Sequence, residues 1–137
     1  MSRVLITALT ATALSACAGQ SMAPDRDPRG DLRLAQALAG KVADRPVSCL
    51  PSYRTTNAQV IDEDTILYRD GRTTYVQHTN GACYPHGPNG GTYLVTRSFG
   101  SAGLCRGDIA QVVHATSGSF AGSCAFNDFI PYRTPGS

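Results

Sequence analysis

Polar and apolar positions divide the chain into four stretches. From Val4 to Ala16 the residues are uncharged and mostly apolar, behind a short Met1-Ser2-Arg3 start. Residues 18–30 (AGQSMAPDRDPRG) are polar, with two prolines, two glycines and no apolar periodicity, which predicts a flexible tether. Leu34, Leu38 and Val42 then recur every four residues with Ala35 beside them. This is a helical stripe that Asp31 can cap, Gly40 weakens and Pro46 stops. A single apolar stripe on a short helix predicts a face packed onto a sheet. Beyond Val47 the pattern changes to short β-like runs separated by turn residues.

Strands are expected at Gln59–Ile61, Thr65–Arg69, Arg72–Thr79, Thr92–Ser98, Ile109–Ala115 and roughly Cys124–Ile130. Asp70-Gly71 supplies the favoured two-residue hairpin turn and Asn80-Gly81 a second turn. Residues 85–91 (PHGPNGG) read as loop, and Pro131 and Pro135 as the close of the domain. A parallel sheet needs a helix between strands, and the one credible helix precedes them all. The predicted fold is therefore mainly β: a small antiparallel sheet or barrel with one short N-terminal amphipathic helix.

The first stretch has the parts of a secretory signal: a positive start, an apolar run and small residues before a cut. As a helix, Val4–Ala16 would be roughly 20 Å long at about 1.5 Å per residue, too short for a hydrocarbon core of roughly 30 Å. It ends Leu14-Ser15-Ala16-Cys17, which resembles the lipobox of bacterial lipoproteins. The resemblance implies cleavage before Cys17, a thioether to diacylglyceryl on its sulfur and acylation of the freed amine. Two chains already anchor a protein stably, at about 0.8 kcal/mol per buried CH₂. By resemblance to enterobacterial lipoproteins, Ala18 after the cysteine, in place of Asp, points to the outer membrane. Three segments are expected: residues 1–16 as signal peptide, 17–30 as lipidated tether, and 31–133 as one disulfide-stapled β-rich domain.

Composition narrows the function classes. Twelve basic residues face ten acidic ones, and Arg3 leaves with the signal. A near-neutral chain with scattered charges lacks the basic patch that nucleic acid requires. With Cys17 assigned to lipid, Cys49, Cys83, Cys105 and Cys124 remain, an even set for an oxidising compartment. Two disulfides follow as the default. Of the three possible pairings, Cys49–Cys124 closing the domain ends with Cys83–Cys105 clasping the central connection is preferred.

Several motifs invite chemistry. Cys83 and His86 have the spacing of half a zinc site, but His78, His114, Cys105 and Cys124 supply no matching pair. Asp62-Glu63-Asp64 offers carboxylates to calcium without the alternation or glycine of an EF-hand, so a solvated turn is expected. His114 followed by Cys124 has the order of cysteine-nucleophile transpeptidases of the cell envelope. Their Ser-His-Gly-Cys-type motif is Ala121-Gly122-Ser123-Cys124 here, without the histidine. Gly118-Ser119-Phe120-Ala121-Gly122 puts serine one place early for a nucleophile elbow. Arg106-Gly107-Asp108 spells an integrin tripeptide and is expected to be a turn with a φ-permissive glycine.

From Cys49 to about Tyr132 the chain resembles an uncharacterised family of small secreted and lipid-anchored proteobacterial proteins. The resemblance rests on Ala39-Gly40-Lys41, Cys49, Asp62, Ile66, Tyr68, Gly71, Cys83, Cys105-x-Gly107-Asp108 and Cys124 before Phe126 and Phe129. These are cysteine and turn positions and imply a fold, with no activity to transfer. The expected function is that of a lipid-anchored, non-catalytic envelope protein. It has no cofactor, and its partners are the membrane, through lipid, and another envelope protein. A small-ligand-binding β domain with an apolar pocket is the alternative, and a cell-wall enzyme the third reading.

Overall fold

The computed structural model describes residues 27–55, 57–85, 87–96 and 103–136. Residues 1–16, expected as signal peptide, Cys17, most of the expected tether and His86 lie outside the described residues. Helix α1 (Pro28–Leu38) begins earlier than the sequence pattern suggests. Asp27, not Asp31, is the N-cap: its Oδ1 accepts from the Arg29 amide at 3.1 Å, and Pro28 takes the first helical position. Pro28 has no amide hydrogen to lose there, and Asp31 instead adds negative charge to the first turn. The three residues 28–30, read as tether, are thus helix. At the other end Gly40 takes φ +71° and turns the chain.

Nine strands follow among the described residues, all paired antiparallel: β1 (Val42–Ala43), β2 (Cys49–Pro51), β3 (Ala58–Val60), β4 (Thr65–Asp70), β5 (Thr73–Asn80), β6 (Thr92–Thr96), β7 (Gly103–Cys105), β8 (Ile109–His114) and β9 (Phe120–Arg133). Seven form one sheet in the order β3-β4-β5-β9-β8-β6, with β1 also on β9. The sheet curls into a half-barrel. Strands β2 and β7 make a separate two-stranded sheet. Short antiparallel strands, one preceding helix and two disulfides are as the sequence predicts.

Register explains the layers. Leu67 pairs with Val76 and Val76 with Ile130, so these side chains share one face. Leu34, Ala37 and Leu38 of α1 pack on that row. Val42, expected in the helical stripe, instead lies in β1 and is exposed, and Ala35 points to solvent. On the other face Ile66, Tyr68, Tyr75, Cys124, Phe126 and Phe129 are buried beneath Leu50 of β2 and Leu104 of β7. The helix therefore covers one side of the sheet and the small sheet covers the other.

Three irregularities interrupt the ladders among the described residues, one of them a β8–β9 bulge between Val112 and Val113. A bulge shifts the β5–β9 register between Gln77 and Thr79, and fully buried Gln77 donates from Nε2 to the freed Asn127 carbonyl at 2.8 Å. Strand β9 also runs through Pro131, which does not close the domain as expected. Proline cannot donate to a ladder, but here the β1 side of the strand asks only for its carbonyl, which accepts from the Asp44 amide at 2.8 Å.

Candidate functional site

The four domain cysteines are all bridged, as Cys49–Cys105 and Cys83–Cys124. This corrects the expected Cys49–Cys124 and Cys83–Cys105 pairing. The physical reason is the small sheet: Cys49 of β2 lies directly opposite Cys105 of β7, while Cys83, just beyond β5, reaches Cys124 on the neighbouring strand β9. Cys83 and Cys124 are buried in the core, whereas Cys49 is exposed and Cys105 half-buried.

Bridging settles the fate of two motifs. Cys83 presents no thiolate to a metal beside His86, and among the described residues no group of three His, Cys, Asp or Glu side chains could hold one. Cys124 likewise carries no free thiol. Its partner across the β8–β9 ladder is Ala110. His114 lies four residues further along, roughly 13 Å at about 3.3 Å per residue. The histidine and cysteine of the transpeptidase-like order are therefore apart.

The other motifs hold turns together. Asp62 is buried and its Oδ1 accepts from the Asp64 amide at 3.1 Å; Asp64 Oδ1 accepts from Thr65 Oγ1 at 2.9 Å. These two carboxylates are thus engaged within the turn, and Glu63 is exposed. Gly107 takes φ +89° in the Arg106-Gly107-Asp108 turn, Asp108 Oδ2 accepts from the Cys105 amide at 2.8 Å, and Arg106 pairs with Asp128 at 3.2 Å.

Two polar features were not foreseen. Arg54, on the 3₁₀ turn Ser52–Arg54, pairs with Asp70 at 3.0 Å, donates to the Tyr75 hydroxyl at 2.6 Å and lies over the Tyr53 and Tyr75 rings. Its pKa is raised chiefly by the hydrogen bond with the Tyr53 hydroxyl, against the opposing effect of desolvation, with Tyr75 and Asp70 adding to the rise. A cleft of about 420 Å³ opens between the start of α1 and the loop after β5, with Asp27, Arg29, Arg33, Asp62, Glu63 and Pro88 among its walls. It is polar and lies outside the sheet, unlike the apolar interior pocket of the ligand-binding alternative.

The feature best suited to a contact lies at the far end of the sheet. Tyr93 of β6 faces Val113 of β8, which faces Phe120 of β9. Val95 faces Gln111, and Ile109 faces Ala125. Helix α1 packs only on the Leu67–Val76–Ile130 end of this face, so Tyr93, Val95, Ile109 and Phe120 are exposed. Strand β6 is also the last strand of the sheet order. No Asp, Glu, Lys or Arg occurs between Arg72 and Arg97, or between Asp108 and Asp128. Strands β6 and β8, and β9 as far as Asn127, therefore carry no charged side chain. The two charge-free runs were legible in the sequence; that they share one face depends on the β6–β8–β9 pairing.

Compared with known protein families, curated proteins and solved structures, the chain matches none of them.

Proposed function

We propose that this protein is a lipid-anchored component of the bacterial envelope, attached through Cys17 and facing the periplasm from the outer membrane. Its disulfide-stapled domain acts there as a non-catalytic module that contacts another envelope protein. The observation that carries the contact is the bare, charge-free end of the sheet, where Tyr93, Val95, Ile109 and Phe120 are exposed together. Natural edge strands are ordinarily protected by charge, proline or a covering element, and β6 contains neither charge nor proline. An exposed apolar group of this kind marks an interaction surface.

The anchor reading is supported by the cysteine count. Four cysteines pair with one another in the domain, and the fifth, Cys17, stands in the lipobox-like position. A photo-reactive residue placed at Val95 in cells is expected to give a discrete protein adduct, while the same group at Arg72, on the exposed turn between β4 and β5, gives none. Equal labelling from both positions, or none from any position on β6 and β8, would contradict the contact.

A further inference from the structure

We propose that Cys49–Cys105 is a site of thiol–disulfide exchange, entered by a dithiol at Cys49 Sγ, and that Cys83–Cys124 is a permanent structural bridge. The proposal concerns the folded domain alone and is independent of the anchor and of the contact surface.

Three observations carry it. Access differs: Cys83 and Cys124 are 0% and 3% exposed within the cluster that contains Phe126 and Phe129, whereas Cys49 is exposed at the surface of β2. Exchange requires a thiolate to reach a sulfur, so burial of one bridge and exposure of the other separate their rates. Position differs too. Cys49–Cys105 joins two directly opposed residues of a sheet only three pairs long, Cys49 with Cys105, Leu50 with Leu104 and Pro51 with Gly103, and this sheet is separate from the main one. Cys124 by contrast lies inside β9, between β5 and β8, and Cys83 is buried beside it. Reaching that bridge requires the central strands to part, an opening far rarer than movement of a short peripheral pair. Finally, the exchangeable bridge sits over something. Leu50 is fully buried between β2 and the aromatic core, so loosening the β2–β7 flap uncovers apolar surface without dismantling β4, β5 and β9.

A thiolate of the dithiol attacks Cys49 Sγ; the S–S bond breaks, and its electron pair leaves on Cys105 Sγ, which takes up a proton. The dithiol's second thiolate then attacks its own sulfur in the mixed disulfide and releases the Cys49 thiolate, which is protonated. Two electrons and two protons pass from the dithiol to Cys49 and Cys105, and the dithiol leaves as a disulfide.

The test uses the full native chain with limiting dithiothreitol in non-denaturing buffer, followed by acid quench, alkylation and peptide mass spectrometry over time. Cys49 and Cys105 are expected to label together at least about tenfold faster than Cys83 and Cys124, in line with local rather than sub-global opening. A Cys-x-x-Cys dithiol protein with its second cysteine changed to serine is expected to be trapped on Cys49. Simultaneous labelling of all four cysteines, earlier labelling of Cys83 and Cys124, labelling only in denaturant, or trapping on Cys105 would each overturn the proposal.

Discussion

At Gly103 the chain has no room for a side chain, because a Cβ there would overlap the Leu50 carbonyl oxygen across the β2–β7 pair. The obstacle is backbone, which cannot swing aside as a side-chain tip can. Gly103→Ala is expected to destabilise the domain by about 1–3 kcal/mol through overpacking, seen as a lower urea midpoint; an unchanged midpoint would mean that the flap yields freely. Tyr68 makes a second residue-scale statement. Burial, assisted by nearby Tyr84, raises its pKa well above the ordinary tyrosine range, and burial raises that of Tyr84 as well. A group whose folded pKa is raised contributes fully below its unfolded value, about 10 for tyrosine. Its contribution is lost as pH climbs from that value through the folded one, because the unfolded chain releases its proton first. Stability should therefore be insensitive to these groups below about pH 9 and fall above about pH 10. Tyr68→Phe should flatten that decline relative to the native chain. An identical alkaline slope in both proteins, measured by denaturant titration, would assign the loss elsewhere.

At the scale of elements, α1 and β6 illustrate opposite fates for apolar side chains on the same sheet face. Leu67, beneath α1, is fully buried, and Leu67→Ala should cost about 2–5 kcal/mol by leaving a cavity. Val95, on bare β6, is exposed, so Val95→Lys should change stability by no more than about 0.5 kcal/mol while abolishing the adduct formed from a photo-reactive group at neighbouring Tyr93. Retained labelling in that variant would separate the contact from the strand. The elements also divide by how legible they were. Strands β4 and β5 announce themselves through β-branched and aromatic residues around a glycine turn. The turn is offset by one residue: Asp70 pairs with Thr73 across Gly71-Arg72, and Gly71 takes φ +56°, the first-position glycine that a II′-type turn prefers. The start of α1 was missed because Asp27-Pro28 reads equally as tether and as N-cap with proline at the first position. Strands β2 and β7, Cys-Leu-Pro and Gly-Leu-Cys, are too short for alternation to register, and their partner is distant in sequence. Strand β9 was foreseen only from Cys124 to Ile130, because Gly122 and Pro131 look like breakers until the β8–β9 bulge between Val112 and Val113 and the β1 edge are known.

For the whole molecule, the cysteines tie the chain together in a way that its sequence states only in part. An even set of four is legible, and the two bridges follow from it; the partners are not, since they depend on where β2 and β7 come to lie. Bridges with sequence separations of 56 and 41 residues contribute about 4 kcal/mol each in the loop-entropy model, a large share of the roughly 5–15 kcal/mol that stabilises a small domain. The candidate surface was legible in a similar fashion. Its two charge-free runs stand in the sequence, but only the sheet order joins them, and only the short reach of α1 leaves them bare. The described domain thus has a helix-covered end and an open end whose strands β6 and β8 carry no charge. The measurement that tests the central proposal most directly is the intact mass of the native protein, extracted from membranes in detergent without reductant. The predicted product begins at Cys17, carries the diacylglyceryl and amide-linked acyl groups, and lacks four hydrogens, two for each bridge. A chain that begins elsewhere, bears no lipid on Cys17, or retains free thiols in the domain would contradict it.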